Sequence, residues 1–283
     1  MSAIGRGTLL CAVASVAFAC GRRAQAPRSR PVDRVEIAWP RPSVRTPTAD
    51  ADRWQSIAPG MRLGRFELTD EGQPLRWWVV RLDLEQVTLR ALAMESGSIL
   101  DSARDPRVAL AVDAGFFSPA MQPAGVLWSQ GQWLGRWTAS GGSGILHVAA
   151  HRAELLETGA GFAPSATTEL AVQCGPRLIE RDGSVGIRRD DGRRFARTAV
   201  CLRDDGRTLD FVVTWHADDP MHGPGLLALA ERLAAPSPAG DPRGCESALN
   251  LDGGPSTGMY LRGRPDATHP ASGPVPFVLV VRD

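Results

Sequence analysis

The segment ALNLDGGPST, residues 248–257, joins an apolar stretch of strand type to a carboxylate, two glycines, a proline and two hydroxyls. Its leucines alternate with polar residues, so a strand here would deliver Asp252 at its C-terminal end, where the chain meets solvent. Gly253 and Gly254 allow backbone conformations closed to other residues and let a ligand approach the main chain closely. Bare amides beside hydroxyls predict a cradle for phosphate oxygens. A tight turn with an exposed aspartate is the alternative.

The same segment also fits the G-x-S-x-G spelling of a nucleophile elbow, with Ser256 in the central position. An elbow requires a helix after the serine, and its acid and histidine partners come from later strands of a parallel sheet. The acid and histidine residues that follow before the last predicted strand are Asp266 and His269, close together in a loop rich in proline and glycine. The sequence therefore argues against a serine hydrolase.

Four segments together resemble a known family. VDAGFF (112–117), QCGPRLI (173–179), RTAVCL (197–202) and ALNLDGGPST occur in the order and rough spacing of the phosphodiester glycosidase domain family. The resemblance covers roughly residues 80–283. It implies hydrolysis of a sugar linked through its anomeric carbon to a phosphodiester, as in N-acetylglucosamine-1-phosphate attached to another sugar.

The resemblance also implies which residues form the site. The positions that fall on the family's motifs are Gly115, Phe116, Phe117, Gly175, Pro176, Arg177, Arg197, Thr198, Asp252, Gly253, Gly254, Ser256 and Thr257. One position departs from the family, because Asp113 stands where the family usually has asparagine. A carboxylate beside an anionic substrate would repel it, unless the group is protonated or itself serves as acid or base.

Cleavage of a glycosyl phosphate requires an anion clamp and a group that assists the water or the leaving oxygen. Arg197 is the first candidate for the clamp, because its planar fork matches phosphate oxygens and it opens an apolar strand. Arg177 is the second candidate. We predict that Asp252 is the general base or nucleophile and that Asp113 is its partner acid, following the two-carboxylate logic of glycoside hydrolysis. The residues leave open which carboxylate has which role.

Three aromatic residues are candidates for stacking on a sugar, namely Phe116, Phe117 and Trp128, although aromatic residues after a strand also commonly belong to the core. We expect no required metal or other cofactor. His147 and His151 lie four apart in strand-like sequence and lack the glutamate of a metalloprotease helix.

A second polar cluster lies in WHADDPMHG, residues 215–223, just before a predicted helix. Its polar side chains are His216, Asp218, Asp219 and His222. They are able to bind a divalent cation or to cap the helix. His222 is also a candidate for contact with substrate phosphate.

Strand signals dominate from residue 60 onward and predict an α+β, sheet-dominated single domain with mostly antiparallel strands and one or two helices. Hairpins are predicted from 75–84 with 87–94, and within 125–135, 144–156, 170–185 and 197–215. Further strands are predicted in 108–117, 248–252 and 274–282. Helical spacing followed by Pro236 predicts a helix over 223–235, and a second helix is predicted over 99–104.

The N-terminal residues predict export. Residues 1–20 contain a short apolar stretch of the length of a secretory signal and end in AFAC, which resembles a bacterial lipobox with Cys20 as the lipidated residue. Plain secretion is the alternative. Residues 21–52 are rich in proline and arginine and predict a solvated tether, so the folded domain is expected over 53–283. We expect a cell-envelope protein anchored to a membrane by its lipid.

Three cysteines remain in the expected domain, so at most one disulfide forms within the chain. Cys201 and Cys245 each lie beside a predicted core strand and are the predicted pair, which leaves Cys174 free.

The composition is that of an ordinary globular protein, with 283 residues, 43% hydrophobic residues and a formal net charge of +1. This charge gives no electrostatic basis for nucleic-acid binding. We expect an exported hydrolase of glycosyl phosphodiesters. A non-catalytic lipoprotein that binds phosphorylated glycans and a scaffold lipoprotein without a ligand are the alternatives, and the sequence does not indicate an oligomeric state.

Overall fold

Antiparallel strands dominate the computed structural model, which describes residues 54–158, 161–238 and 244–282. The strands of these residues are β1 (Trp54–Ala58), β2 (Met61–Asp70), β3 (Gln73–Asp83), β4 (Leu89–Ala93), β5 (Val108–Asp113), β6 (Leu127–Ser129), β7 (Gln132–Gly135), β8 (Gly144–Ala149), β9 (Arg152–Glu157), β10 (Thr168–Cys174), β11 (Arg177–Ile179), β12 (Arg197–Arg203), β13 (Thr208–His216), β14 (Ser247–Gly253), β15 (Met259–Leu261) and β16 (Phe277–Arg282). One α-helix, α1 (Leu226–Ala234), and short 3-10 helices at Ile99–Arg104, Gly254–Ser256 and Pro265–Ala267 complete the described elements. The predicted sheet-dominated α+β class is confirmed.

The strands form three sheets. A seven-stranded sheet has the order β1-β2-β3-β13-β12-β14-β11, a five-stranded sheet the order β7-β6-β10-β8-β9, and a four-stranded sheet the order β15-β5-β16-β4. The main core includes buried residues from all three sheets. The strands that carry the candidate site, β5, β12 and β14, therefore run through the interior of the molecule.

The seven-stranded sheet is covered on both faces, and β12 shows how. Val200 and Leu202 face the main core, whereas Ala199 and Cys201 face a second cluster. The second cluster is completed by apolar residues of α1, which are Leu229, Ala230 and Leu233. Because successive side chains of a strand point to opposite faces, neighbouring residues of β12 act on different sides of the sheet.

Several predicted hairpins are confirmed by their turns. β6 and β7 are joined through Gln130 and Gly131, and β8 and β9 through Ala150 and His151, all four with positive φ. β12 pairs with β13 in register from end to end, around an Asp-Asp-Gly turn that also has positive φ. Such left-handed turns match the twist of the strands they join. In the segment 170–185, the hairpin is reduced to a single bridge between Ile179 and Val185.

The predicted hairpin of 75–84 with 87–94 is wrong. β3 pairs with β2 and β13 in the seven-stranded sheet, whereas β4 pairs with β16 in the four-stranded sheet. The residues between them turn the chain from one sheet to the other, and Leu84 and Val87 are buried in the main core at that point. The apolar alternation predicted both strands correctly but did not specify their partners.

Both predicted helical segments exist. α1 begins at Leu226 rather than at residue 223, because Gly225 is the extended N-cap residue and Pro224 precedes it. The segment at Ile99–Arg104 is a 3-10 helix whose N-cap, Ser98, accepts a hydrogen bond from the amide of Leu100. Among the described residues, no helix combines the length and the apolar character that a membrane crossing requires.

The disulfide between Cys201 and Cys245 is present, as predicted, with Cα atoms 5.4 Å apart. It connects β12 to the residue two positions before β14, so it fastens one end of the strand pair whose other end carries Arg197 and Asp252. Cys174 is free and buried. The predicted signal segment, Cys20 and the tether lie outside the described residues.

Removal of the disulfide is expected to destabilise the fold. The bond closes a loop with a sequence separation of 44, and in the chain-entropy description the double variant Cys201→Ala/Cys245→Ala loses about 2 to 4 kcal/mol of unfolding free energy. Urea unfolding with and without dithiothreitol measures the loss. Wild type should be sensitive to the reductant and the double variant insensitive, while Cys174→Ala should remain sensitive. Equal stability of wild type and double variant would contradict the expectation.

Candidate active site

The candidate site forms where three strand ends meet: the C-terminal end of β5, the N-terminal end of β12 and the C-terminal end of β14. Arg197 pairs with Gly253 across the antiparallel strands β12 and β14. The amide of Asp252 donates to the carbonyl of Ala114, just after β5, at 3.1 Å. Backbone pairing therefore brings together segments that the sequence separates by more than 130 positions.

Asp113 is the most deeply buried carboxyl group of this site, with 1% of its surface exposed. Its Oδ1 accepts hydrogen bonds from the hydroxyl of Thr198 at 2.5 Å and from the amide of Gly258 at 3.0 Å. Its Oδ2 is buried and has no hydrogen-bond partner among the described residues. Burial raises the pKa of Asp113 well above its ordinary value, and the charge of Asp252 raises it further, against the opposing effect of the hydrogen bonds.

Asp252 lies in a less enclosed position at the end of β14 and is half-buried. Burial raises its pKa, whereas hydrogen bonds from the amide of Gly253, at 2.9 Å, and from Ser256 lower it. The Ser256 hydroxyl also lies 3.1 Å from the carbonyl of Pro274, so its single proton has two acceptors. Because Asp113 is more completely buried and also feels the charge of Asp252, it takes up a proton first.

The turn after Asp252 is an irregular strand end and not a nucleophile elbow. The pairing of β12 with β14 shifts register just before Gly253, and Gly254 has a φ of +59°, which glycine adopts without strain. The amide of Gly254 donates to the carbonyl of Ala196 at 2.7 Å. Only a 3-10 helix of three residues contains Ser256, and β15 follows it. The Thr257 hydroxyl is buried without a partner among the described residues.

Arg197 is a buried cation, 7% exposed, and no carboxylate among the described residues forms an ion pair with it. Its Nε donates to the carbonyl of Pro224 at 3.3 Å and its Nη2 to that of Arg193 at 3.2 Å. A Cβ placed on Gly253 would lie 3.9 Å from Nη1, an atom without a hydrogen-bond partner in the described part of the chain. Burial lowers the pKa of Arg197, but a guanidinium stays charged in proteins. This group is suited to bind an anion.

Arg177 does not reach the turn. Its guanidinium forms ion pairs with Glu157 at 3.1 Å and with Glu180 at 3.0 Å. It lines a groove of about 670 Å³ together with Ser247, which begins β14, whereas Asp252 lies near the other end of that strand. Arg177 is therefore a weaker candidate for the clamp than Arg197.

Gly175 contributes to the site through its backbone carbonyl. Its carbonyl accepts a hydrogen bond from Nδ2 of Asn250 at 3.1 Å, and the following peptide bond to Pro176 is cis. The Oδ1 of Asn250 is buried without a partner among the described residues. Asn250 has no distinguishing signal in the sequence, although it lies two residues before Asp252, because its burial depends on strand pairing.

The aromatic candidates divide into two groups. Phe116 and Phe117 are partly buried against the main core beside the end of β5, and a Cβ on Gly115 would approach the carbonyl oxygen of Gln173 to 2.6 Å. Trp128 packs edge-to-face on Trp133 at 5.1 Å in a separate small cluster of the five-stranded sheet. The structure therefore keeps Trp128 away from the turn.

The histidine clusters form local pairs. His222 bonds Asp219 at 2.7 Å, and His216 bonds Asp70 at 3.2 Å. The N-cap of α1, Gly225, has no side-chain cap, so this loop does not cap the helix with its side chains. Both ring nitrogens of His147 are bonded, to Glu154 and to Thr168, while His151 lies 3.7 Å from Glu169.

The elevated pKa of Asp113 has a definite consequence for stability. The folded state keeps a proton on Asp113 at pH values where the unfolded chain has released it, so the unfolding free energy falls as pH rises above the unfolded pKa of about 4. Asp113→Asn removes this dependence. Relative to the variant, wild type is expected to lose up to about 1.4 kcal/mol per pH unit until the raised pKa is reached. Urea unfolding from pH 4 to 8 measures the difference, and parallel profiles would contradict the assignment.

Solved structures show a similar fold. A crystal structure of a hypothetical protein from Synechocystis has a TM-score of 0.51 at 17% identity, over 78% of this chain and 62% of its own, so the chain spans less than two thirds of that relative. The zebrafish N-acetylglucosamine-1-phosphodiester α-N-acetylglucosaminidase catalytic domain, auto-inhibited by its pro-peptide, has a TM-score of 0.58 at 16% identity, over 81% of this chain and 85% of its own. No curated protein matches the sequence.

The sequence itself matches a family model. The match extends over residues 106–282, more than half of the chain, and the model describes phosphodiester glycosidase. It includes the segments that carry Asp113, Arg197 and Asp252. The resemblance seen in the four sequence segments is thereby confirmed, and the chain belongs to the phosphodiester glycosidase family.

Proposed function

We propose that this protein hydrolyses the glycosidic bond of a sugar-1-phosphodiester, for example N-acetylglucosamine-1-phosphate esterified to another sugar. The observation that carries the proposal is the buried guanidinium of Arg197, which forms no ion pair among the described residues and lies beside Gly253, the glycine that follows Asp252. Family membership supports the reaction class. The name of the zebrafish relative supports the choice of substrate.

Arg197 binds the phosphate in this proposal. Its Nη1 provides a charge-assisted donor for a phosphate oxygen, while Nε and Nη2 hold the guanidinium in place through two backbone carbonyls. Gly253 leaves room in front of Nη1 because it has no side chain. Binding of a phosphodiester also gives the buried cation a direct ion-pair partner, in addition to the favourable charges of Asp190 and Asp191.

Asp252 acts on the anomeric carbon as general base or nucleophile, because it is the more accessible carboxylate and ionises first. As a base, it takes a proton from water while the oxygen of that water forms the new bond to carbon. The bonding pair of the broken carbon–oxygen bond leaves with the phosphate. The product phosphate monoester has a second pKa of about 6, so this leaving group requires little protonation. Asp113 keeps its proton and serves to position the strand ends.

Phosphorus NMR of the purified full-length protein with N-acetylglucosamine-α-1-phospho-6-mannoside, in water enriched in oxygen-18, tests the proposal. A phosphomonoester signal without an isotope shift is expected, because glycosidic cleavage places the labelled oxygen on the sugar. Asp252→Asn should abolish this signal without lowering the melting temperature, because the raised pKa of Asp252 means that its charge does not stabilise the fold. Asp182→Asn, which alters an exposed carboxylate bonded to Ser184, is the matched control and should retain activity.

The outcomes separate the alternatives. An isotope-shifted phosphorus signal would indicate cleavage at phosphorus and would contradict a glycosidase. Full activity of Asp252→Asn would remove this residue from the chemistry. A silent spectrum together with measurable binding of the diester would favour the non-catalytic glycan-binding lipoprotein.

We also propose that the protein is exported and anchored by lipid at Cys20. The disulfide between Cys201 and Cys245 supports an oxidising compartment, and the signal-like sequence that ends at Cys20 supports lipidation.

Labelling of cells that express the full-length protein with a palmitate analogue tests the anchor. Wild type should incorporate label and sediment with membranes, whereas Cys20→Ala should lose both properties. Cys11→Ala is the matched control within the same segment and should remain labelled. An unlabelled wild-type protein in the medium would instead indicate plain secretion.

A further inference from the structure

An exposed aromatic ring stands next to the proposed phosphate site. Phe195 is 38% exposed, which is unusual for a large apolar side chain in this fold. A Cβ on Gly254 would lie 3.7 Å from its Cγ and Cδ1, so the ring rests against the glycine turn. The guanidinium carbon of Arg197 lies 5.6 Å from the ring centroid.

The backbone holds this ring in place. Ala196, the residue after Phe195, accepts a hydrogen bond from the amide of Gly254 at 2.7 Å and donates its own amide to the carbonyl of Met221 at 2.8 Å. Phe195 belongs to none of the hydrophobic clusters of the interior. The backbone therefore fixes the position of the Phe195 ring, while the free face of the ring is exposed to solvent.

The ring of Phe195 lies beside the guanidinium that is proposed to bind the phosphate. Thr198 points toward Asp113 and the main core, whereas Arg197, the preceding residue of the strand, points to the opposite face. Phe195 contacts the same guanidinium. A phosphate bound at Arg197 would therefore have the Phe195 ring beside it.

We propose that Phe195 is a specificity-determining residue that stacks on a sugar ring attached to the phosphate as its second ester, on the side opposite the cleaved bond. An aromatic face packs well against the apolar face of a pyranose, and the nearby guanidinium fixes the phosphate that connects the two sugars. The inference rests on the proposed function. It adds the residue that contacts the second sugar and predicts that this residue selects a sugar over a small alcohol at that position.

Two diesters with the same cleaved bond test the inference on the full-length protein: N-acetylglucosamine-α-1-phospho-6-mannoside and its methyl counterpart, in which methanol replaces mannose. Phe195→Ala should raise KM for the mannose diester about tenfold and leave its kcat nearly unchanged, because the lost contact is made equally in the ground and transition states. KM for the methyl diester should not change. Phe195→Tyr should restore the wild-type values.

Trp137→Ala removes another exposed aromatic residue, 44% exposed, and is the matched control. An equal KM change for both diesters, or no change for either, would overturn the role of Phe195 while hydrolysis itself stands. If wild type hydrolyses neither diester, each diester is titrated by calorimetry into the Asp252→Asn variant and into the double variant Asp252→Asn/Phe195→Ala, and the two binding affinities are compared. If Phe195→Ala weakens binding of the mannose diester and not of the methyl diester, the role of Phe195 is supported even though no hydrolysis occurs. Any other result, including no binding of either diester, overturns it.

Discussion

The hydrogen bond from Thr198 to the buried carboxyl of Asp113 is the interaction on which the site depends. It joins β12 of the seven-stranded sheet to β5 of the four-stranded sheet. The second bond to the same oxygen, from Gly258, fixes the chain just before β15. A buried carboxyl is unfavourable unless its oxygens are satisfied or it binds a proton. The carboxyl group of Asp113 thus determines both how the two sheets contact each other and the charge of the site.

An asparagine in place of Asp113, which the sequence resemblance implies for the family, is able to accept the same two hydrogen bonds, so the structural role of this position does not require an acid. The carboxyl of Asp113 adds a group that binds a proton. In its neutral form it places no second negative charge beside Asp252 and repels no phosphate. The departure from the family is therefore compatible with an anionic substrate as long as Asp113 remains protonated.

Local patterns specified most of the strands and part of the site. Buried β5 follows from its continuous apolar run. The Asp-Asp-Gly hairpin of 197–215 and the turn after Asp252 follow from alternation and turn chemistry, and all of these patterns act over a few residues. Contacts between sheets do not follow from such patterns. Asp113 and Thr198 are 85 positions apart in the sequence. The residues after β3, where the chain passes from the seven-stranded sheet to the four-stranded sheet, have no local pattern that predicts this change. Phe195 lies in RRDDGRRFAR, a charged stretch typical of a solvated loop, so only its packing on Gly254 distinguishes it.

Burial of the two carboxyl groups sets stability and catalysis against each other. Both pKa values are raised in the folded state, so the fold gains stability toward lower pH, where both groups are protonated. The proposed chemistry requires Asp252 without its proton and therefore improves toward higher pH. The working range is the interval in which Asp252 has ionised and Asp113 has not. Such a stability–activity trade-off is a common property of strained or desolvated catalytic groups.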